Sequence, residues 1–323
     1  MAANLAAIRT LRELQSTGRP ATAEEQRTLA AWSSWGAVPG VFDTDKPEWE
    51  QTRTELRALL SDAEWAAASR TTINAHYTDP AIVAEMWRAL GGLGVTSGSV
   101  LEPGCGSGTF IGLAPVGVEA TGVELDPTTA AIAQYLYPGA SIRAESFADT
   151  RIPVGAFDAA IGNVPFGNVV LHDRAHNPQG LSLHNHFIVK SLDFVRPGGV
   201  AAFLTSSFTM DATNPAARRE MMARADLIGA GRLPSGAHRR TAGTEALTDL
   251  LIFRRREEGR PPADESWETV RSITLDGQQT KINAYFDEHP EQVLGELSFE
   301  TGMYGQPSLT VTGNLDRLED DLS

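Results

Sequence analysis

Ser99-Val-Leu-Glu102-Pro103-Gly104-Cys105-Gly106-Ser107-Gly108-Thr109-Phe110 decides the fold. A short apolar run passes into three alternating glycines and then into a second apolar stretch. Glycine lets the backbone turn tightly and approach a ligand closely. Strand, glycine loop and helix, in that order, is how an open α/β sheet builds a nucleotide site at the carboxyl ends of its strands. Taken alone, the loop suits a dinucleotide equally well.

Six more short apolar runs surround it, and amphipathic helical stretches separate most of them. They are Val118-Glu-Ala-Thr-Gly-Val-Glu124, Ile142-Arg-Ala-Glu145, Phe157-Asp-Ala-Ala-Ile-Gly162, Gly199-Val-Ala-Ala-Phe-Leu-Thr205, Asp226-Leu-Ile-Gly-Ala-Gly231 and Thr248-Asp-Leu-Leu-Ile-Phe253. That alternation predicts a doubly wound, Rossmann-like α/β core of seven strands over residues 71–256. The last run follows its predecessor without a clear helix, so it is expected to run antiparallel. Residues 1–70 read as an N-terminal helical segment, with Leu5, Ile8, Leu11, Leu14 and Leu29 near helical spacing. Thr22 before Glu24-Glu25 marks a helix start, and a further helical stretch is expected over about 47–69. This segment suits a lid, a partner-binding module or packing for the core. Residues 257–323 read as a C-terminal extension, entered through a linker at 257–265 and closed by acidic Glu319-Asp320-Asp321.

Composition limits the function. The chain has 323 residues, 41% of them hydrophobic, and no apolar run long enough to span a bilayer. The N-terminus lacks a basic, then apolar, secretory signal, so a soluble, cytoplasmic location is expected. The single cysteine, Cys105, cannot form an internal disulfide or a cysteine-based zinc site, and it suits a tight turn as a small residue. The formal net charge of −14 argues against tight non-specific DNA binding by the isolated chain.

Two details point the glycine loop toward S-adenosylmethionine. The spacing is Gly-x-Gly-x-Gly, not Gly-x-Gly-x-x-Gly, and such a ligand has no pyrophosphate for a helix N-terminus to bind. Glu124 then ends the second strand, about twenty residues on, where a carboxylate can accept hydrogen bonds from both ribose hydroxyls. Upstream, His76-Tyr77-Thr78-Asp79-Pro80 precedes a helix. Thr78 or Asp79 can cap that helix. Alternatively, the Tyr77–Thr78 turn closes over the methionine end of the cofactor.

Asn163-Val164-Pro165-Phe166 follows the fourth predicted strand, at the same sheet edge as the loop. An exocyclic amino group is a poor nucleophile because its lone pair is delocalised. Two acceptors aimed at its two hydrogens favour the tetrahedral nitrogen of the transition state. Asn163 Oδ1 can be one and the Val164 carbonyl the other. Pro165 stiffens the backbone and restricts Val164 to extended conformations. Phe166 offers a flat face for a planar substrate. Methyl transfer is then expected to be direct and in line.

This tetrapeptide resembles the Asn-Pro-Pro-(Phe/Tyr) signature of amino-methyltransferases, and among them the N6-adenine DNA methyltransferases. The order of Tyr77-Thr78, cofactor loop and tetrapeptide resembles their gamma group over roughly residues 70–256. Trp35-Gly36, His76-Tyr77-Thr78, Gly162-Asn-Val-Pro-Phe-Gly167 and Arg196-Pro-Gly-Gly199 more closely resemble the methyltransferase part of large phage and plasmid helicase–methyltransferase proteins of the DarB-like antirestriction type. The resemblance implies a Rossmann-like, seven-stranded class I S-adenosylmethionine-dependent methyltransferase core. It also implies roles for particular residues. Glu102, Gly104 and Gly106, with Thr78, would line the methionine part of the cofactor, and Tyr77 and Pro103 would also contact the cofactor. Glu124 would hold its ribose, and Ser146 and Phe147 its adenine, with Leu125 and Asn163 also contacting the cofactor. Asn163 and Phe166 would grip the target. The chain departs from the family at Val164, where a first proline is usual, and near Ser146, where an aspartate is usual.

DNA contacts are expected from His172 and Arg174 after the tetrapeptide, from Arg218-Arg219, and from His238-Arg239-Arg240 before the last strand. His184-Asn-His186 has no further ligand cluster beside it, so no metal is expected there and the segment is expected to begin a helix. The function expected is N6-methylation of adenine in DNA, on a flipped or single-stranded base. Protein glutamine-N5 methylation and a catalytically silent binding subunit stand as alternatives. Only about sixty-five residues follow the core, so a helicase or specificity subunit is expected to supply part of the DNA recognition.

Overall fold

The protein is described from a computed structural model that covers residues 1–36, 38–72, 78–237, 247–275, 277–301, 307–314 and 318. Its centre is a seven-stranded sheet in the order β3-β2-β1-β4-β5-β7-β6. The strands are β1 (Gly98–Pro103), β2 (Val118–Glu124), β3 (Ser141–Ala144), β4 (Phe157–Asn163), β5 (Val195–Ser206), β6 (Ala225–Arg232) and β7 (Thr248–Arg255). β1 to β5 pair in parallel, while β7 pairs antiparallel with both β5 and β6. The antiparallel last strand and all seven runs are as the sequence predicts.

Side-chain alternation divides the sheet between two cores. Leu101, Ala160, Ala201, Phe203, Leu251 and Phe253 face one layer, while Val100, Ala159, Val200, Ala202, Leu204 and Leu250 face the other. Successive strand residues point to opposite faces, so a strand buried on both sides reads as a continuous apolar run. Helix α8 (Leu183–Phe194) covers the first face and α5 (Pro80–Gly92) the second. β1 and β4 are neighbours, yet their chains leave in opposite directions along the sheet. Crevices at such switch points are where open α/β sheets bind ligands.

The N-terminal segment forms its own cluster against α7 (Pro127–Leu136), through Ile8, Leu11, Leu29, Trp32, Trp35 and Ile132. It contains α1 (Ala2–Thr17), α2 (Ala23–Ala30), α3 (Glu50–Leu59) and α4 (Asp62–Thr71). The helical stretch expected over 47–69 is therefore broken at Leu60–Ser61. Ser61 is the cause: its hydroxyl caps α4 by accepting from Glu64 N, and Glu64 accepts back from Ser61 N. Ser61→Ala should cost about 1 kcal/mol, read as a fall in melting temperature of roughly 2–4 °C.

Beyond β7, hairpins β8–β9 (Val270–Leu275, Gln278–Asn283) and β10–β11 (Glu296–Thr301, Pro307–Thr312) pack on the first face. Trp267, Ile282, Phe286, Val293 and Val311 join its core. The expected acidic end, Glu319-Asp320-Asp321, lies outside the described residues. Among the described residues no helix is long and apolar enough to cross a membrane.

Candidate active site

A cavity of about 440 Å³ opens at the carboxyl ends of β1, β2 and β4. Its floor is the glycine loop. Gly104, Gly106 and Gly108 have φ of 71°, 54° and 90°, which only glycine adopts without strain. The amides of Gly104 and Cys105 both donate to the Val123 carbonyl, at 2.8 and 2.9 Å, tying the loop to β2. Cys105 packs beneath the loop. A Cβ on Gly122 would stand 2.6 Å from its sulfur, so this glycine makes room for it. Burial pushes the Cys105 thiol well up, as befits a packing residue.

Three carboxylates converge on one side. Glu124 Oε2 accepts from Gly106 N at 2.9 Å, and Oε1 accepts from Asp126 N at 2.7 Å. Burial, with the charge of Asp126, pushes Glu124 up to about 7. Glu102 is buried at the end of β1, and its Oε2 has no partner among the described residues. Burial and then the charge of Glu124 hold its carboxyl well above the usual range, although a backbone hydrogen bond from Ile111 opposes them. Asp126 caps α7 by accepting from Thr129 N, and its Oδ1 is likewise unpartnered. Leu125, 57% exposed, lines the cavity beside them.

Asn163, the last residue of β4, faces the same cavity. Its Nδ2 donates to Thr78 Oγ1 at 3.1 Å, which leaves Oδ1 buried and without a partner among the described residues. Leaving a buried acceptor unpaired costs about 1–3 kcal/mol. Thr78 is held just before α5, which Asp79 caps by accepting from Ala81 N. The tetrapeptide extends the sheet: Val164 N donates to the Leu204 carbonyl at 3.1 Å. Pro165 lines the cavity, whereas Val164 is buried and Phe166 half-buried outside the lining set.

The structure brings most sequence-predicted residues to one cavity: Thr78, Glu102, Gly104, Gly106, Glu124, Leu125, Ser146, Phe147, Asn163 and Pro165. Pro103 ends β1 behind the loop and is not part of the lining. Tyr77, His238, Arg239 and Arg240 lie outside the described residues. His172 and Arg174 are exposed on the loop after the tetrapeptide. Between them Asp173 is buried, accepts from Lys190 Nζ at 2.7 Å and lies 3.2 Å from His186 Nε2. Burial acts to raise the Asp173 carboxyl, but its hydrogen bond to Lys190 and that charge outweigh burial and hold it at about 2. Lys190 Nζ also donates to the Ala148 carbonyl at 3.0 Å, so this loop and the Ser146–Phe147 segment share one buried anchor.

Arg218 is a correction. It is 1% exposed, and its guanidinium donates to the carbonyls of Glu268, Thr209 and Ala212. These bonds join α10 (Ala216–Met222) to its surroundings and leave the group no route to a phosphate. Its neighbour Arg219 is exposed and paired with Glu268 at 2.7 Å. Sequence reasoning missed Ser34, Arg70 and Thr71, which line the cavity from the N-terminal segment, and Thr129, Leu183 and Phe187.

The fold finds its match among solved structures. A protein from Listeria monocytogenes assigned to the class I S-adenosylmethionine-dependent methyltransferases aligns over 82% of this chain and 91% of its own, with 17% identity and a TM-score of 0.51. The fold is that of a class I S-adenosylmethionine-dependent methyltransferase. A protein from Vibrio vulnificus YJ016, assigned as the modification subunit of a type I restriction enzyme, aligns over 94% of this chain and 66% of its own, with 16% identity and a TM-score of 0.50. In sequence, the chain is 27% identical over 276 residues, 81% of its length, to the Defense against restriction protein B of Escherichia phage P1. It spans 12% of that protein's length. This relative agrees with the DarB-like resemblance read from the motifs. No family model matches the chain.

Proposed function

We propose that this methyltransferase-fold chain methylates the N6 amino group of adenine in DNA. The observation that carries the reading is the buried Oδ1 of Asn163, unpartnered among the described residues, in one cavity with the glycine loop and Glu124. An orphaned acceptor at the wall of a ligand cavity is stabilised once a substrate amino group donates to it. In this reading the Val164 carbonyl is the second acceptor, and Phe166, half-buried outside the cavity lining, would have to turn inward to stack on a planar base.

The donor set fits S-adenosylmethionine. Glu124 offers a carboxylate for two ribose hydroxyls, and Leu125 an exposed apolar face for the adenine ring. Glu102, whose Oε2 has no partner among the described residues, would meet the methionine amino group, with Thr78 lining the same cavity. When bound, the cofactor supplies an electrophilic methyl group. Asn163 and the Val164 carbonyl hold the target nitrogen, and the apolar walls from Phe147, Leu171, Leu183 and Phe187 exclude water.

DNA is the favoured substrate because the chain is related to Defense against restriction protein B and shares its fold with a type I modification subunit. His172 and Arg174, on their anchored loop, and Arg219 are the candidate phosphate contacts. The net charge of −14 supports a division of labour in which a helicase or specificity subunit provides much of the DNA affinity. Labelled S-adenosylmethionine offered with DNA, RNA and protein tests the reading. Label in DNA, recovered as N6-methyladenine, is expected. Label recovered in protein alone would instead make it a glutamine-type methyltransferase.

A further inference from the structure

The N-terminal segment reaches the cavity through a chain of polar contacts that begins on α1. Asn4 is fully buried, though polar. Its Nδ2 donates to the Ser34 carbonyl at 2.7 Å, and its Oδ1 accepts from Ser33 N and Ser33 Oγ, both at 2.9 Å. A side chain that gives all three hydrogen bonds to one turn holds that turn in place. The turn needs holding. Ser34 has φ +58°, and among the described residues no other non-glycine residue lies in the left-handed region. Ser34 itself lines the cavity.

The next residue carries the link onward. Trp35 is fully buried, and its Nε1 donates to Asp126 Oδ2 at 3.3 Å. Asp126 N is the donor to Glu124 Oε1. Trp32 stands edge-on to Trp35 at 4.8 Å and donates through Nε1 to Thr129 Oγ1, another lining residue. Both indoles thus hang from the turn and hold the start of α7, where the acid that ends β2 meets the cavity.

We propose that Asn4 and Trp35 are positioning residues for the ribose end of the cofactor site. α1 fixes the Ser33–Trp35 turn, the turn fixes Asp126, and Asp126 fixes Glu124. The N-terminal segment is therefore part of the cofactor site, with Ser34 as its wall. The inference rests on the reading of Glu124 as the ribose-binding acid.

Trp35→Phe removes the indole N–H and keeps most of the packing. Asn4→Asp keeps the acceptor for Ser33 and loses the donor to Ser34. Titration calorimetry with S-adenosylmethionine should show each variant weakened about tenfold, the scale of one lost hydrogen bond. The KM for the cofactor should rise with it, while kcat at saturating cofactor stays at the wild-type value. Thr22→Ala serves as a control: it removes the cap of α2 on the same segment and should lower thermal stability without changing cofactor affinity. Wild-type affinity in both Trp35→Phe and Asn4→Asp overturns the proposal and leaves the functional reading standing. Equal weakening by Thr22→Ala also overturns it, because general loosening then explains the effect. If the wild-type chain binds no S-adenosylmethionine, the functional reading fails and this inference with it.

Discussion

Asn163→Ala should lower the rate of methyl transfer by about 10²- to 10³-fold, the usual cost of removing one preorganised polar group that acts on the transition state. The target nitrogen begins flat, with its lone pair shared into the ring. It becomes tetrahedral and positively charged as the new bond forms, and its hydrogens become stronger donors. An acceptor already oriented by the protein therefore gains more in the transition state than in the ground state. Asn163 meets that requirement, because its Nδ2 is committed to Thr78 and its Oδ1 has no partner among the described residues. Cofactor affinity should change far less than the rate, since Glu124 and the glycine loop are untouched. Single-turnover transfer at saturating cofactor, with calorimetry alongside, separates the two. Asn163→Asp keeps an acceptor and loses the donor to Thr78, so it should retain more activity than Asn163→Ala. An alanine variant that transfers methyl groups within a few-fold of wild type would remove Asn163 from the reaction.

Much of this arrangement is legible in the sequence. Strands buried on both faces give continuous apolar runs, so all seven could be found. The glycine loop and Asn163 each follow such a run, which places them at one sheet edge without any knowledge of packing. What is hard to read is whatever the tertiary fold imports. Ser34, Arg70 and Thr71 reach the cavity only because the N-terminal segment folds against α7. One signal was present. Asn4 lies four residues before Ile8 and seven before Leu11, so it falls on the apolar face of α1. A polar residue on such a face is buried with partners or is a flaw, and here it has three bonds. Arg218-Arg219 misleads for a related reason. Adjacent helical residues point about 100° apart, so a basic pair of this kind need not share the solvent. Arg218 turns inward to three carbonyls while Arg219 stays exposed.

Glu124→Gln should weaken S-adenosylmethionine binding by about a hundredfold, the scale expected when charged hydrogen bonds to two hydroxyls become neutral or are lost. The pH dependence is the sharper part of this prediction. Burial and the charge of Asp126 push the Glu124 carboxyl from its ordinary 4.5 up to about 7. The ligand-free chain thus holds a proton there that the unfolded chain does not. That proton makes the ligand-free fold lose stability as pH rises through this window. Two hydroxyl donors favour the carboxylate, so cofactor binding expels the proton. Affinity should therefore rise from about pH 6 to about pH 8 and then level off. Near pH 7 the binding enthalpy should also vary with the ionisation enthalpy of the buffer. His184, which burial lowers to about 4, does not titrate in this range. Glu124→Gln should flatten most of the slope between about pH 6 and about pH 8 and shrink the buffer effect, leaving only the share of Glu102, whose carboxyl burial also holds well above the usual range. A wild-type affinity that is flat across this range would show that Glu124 is not the group that meets the ribose.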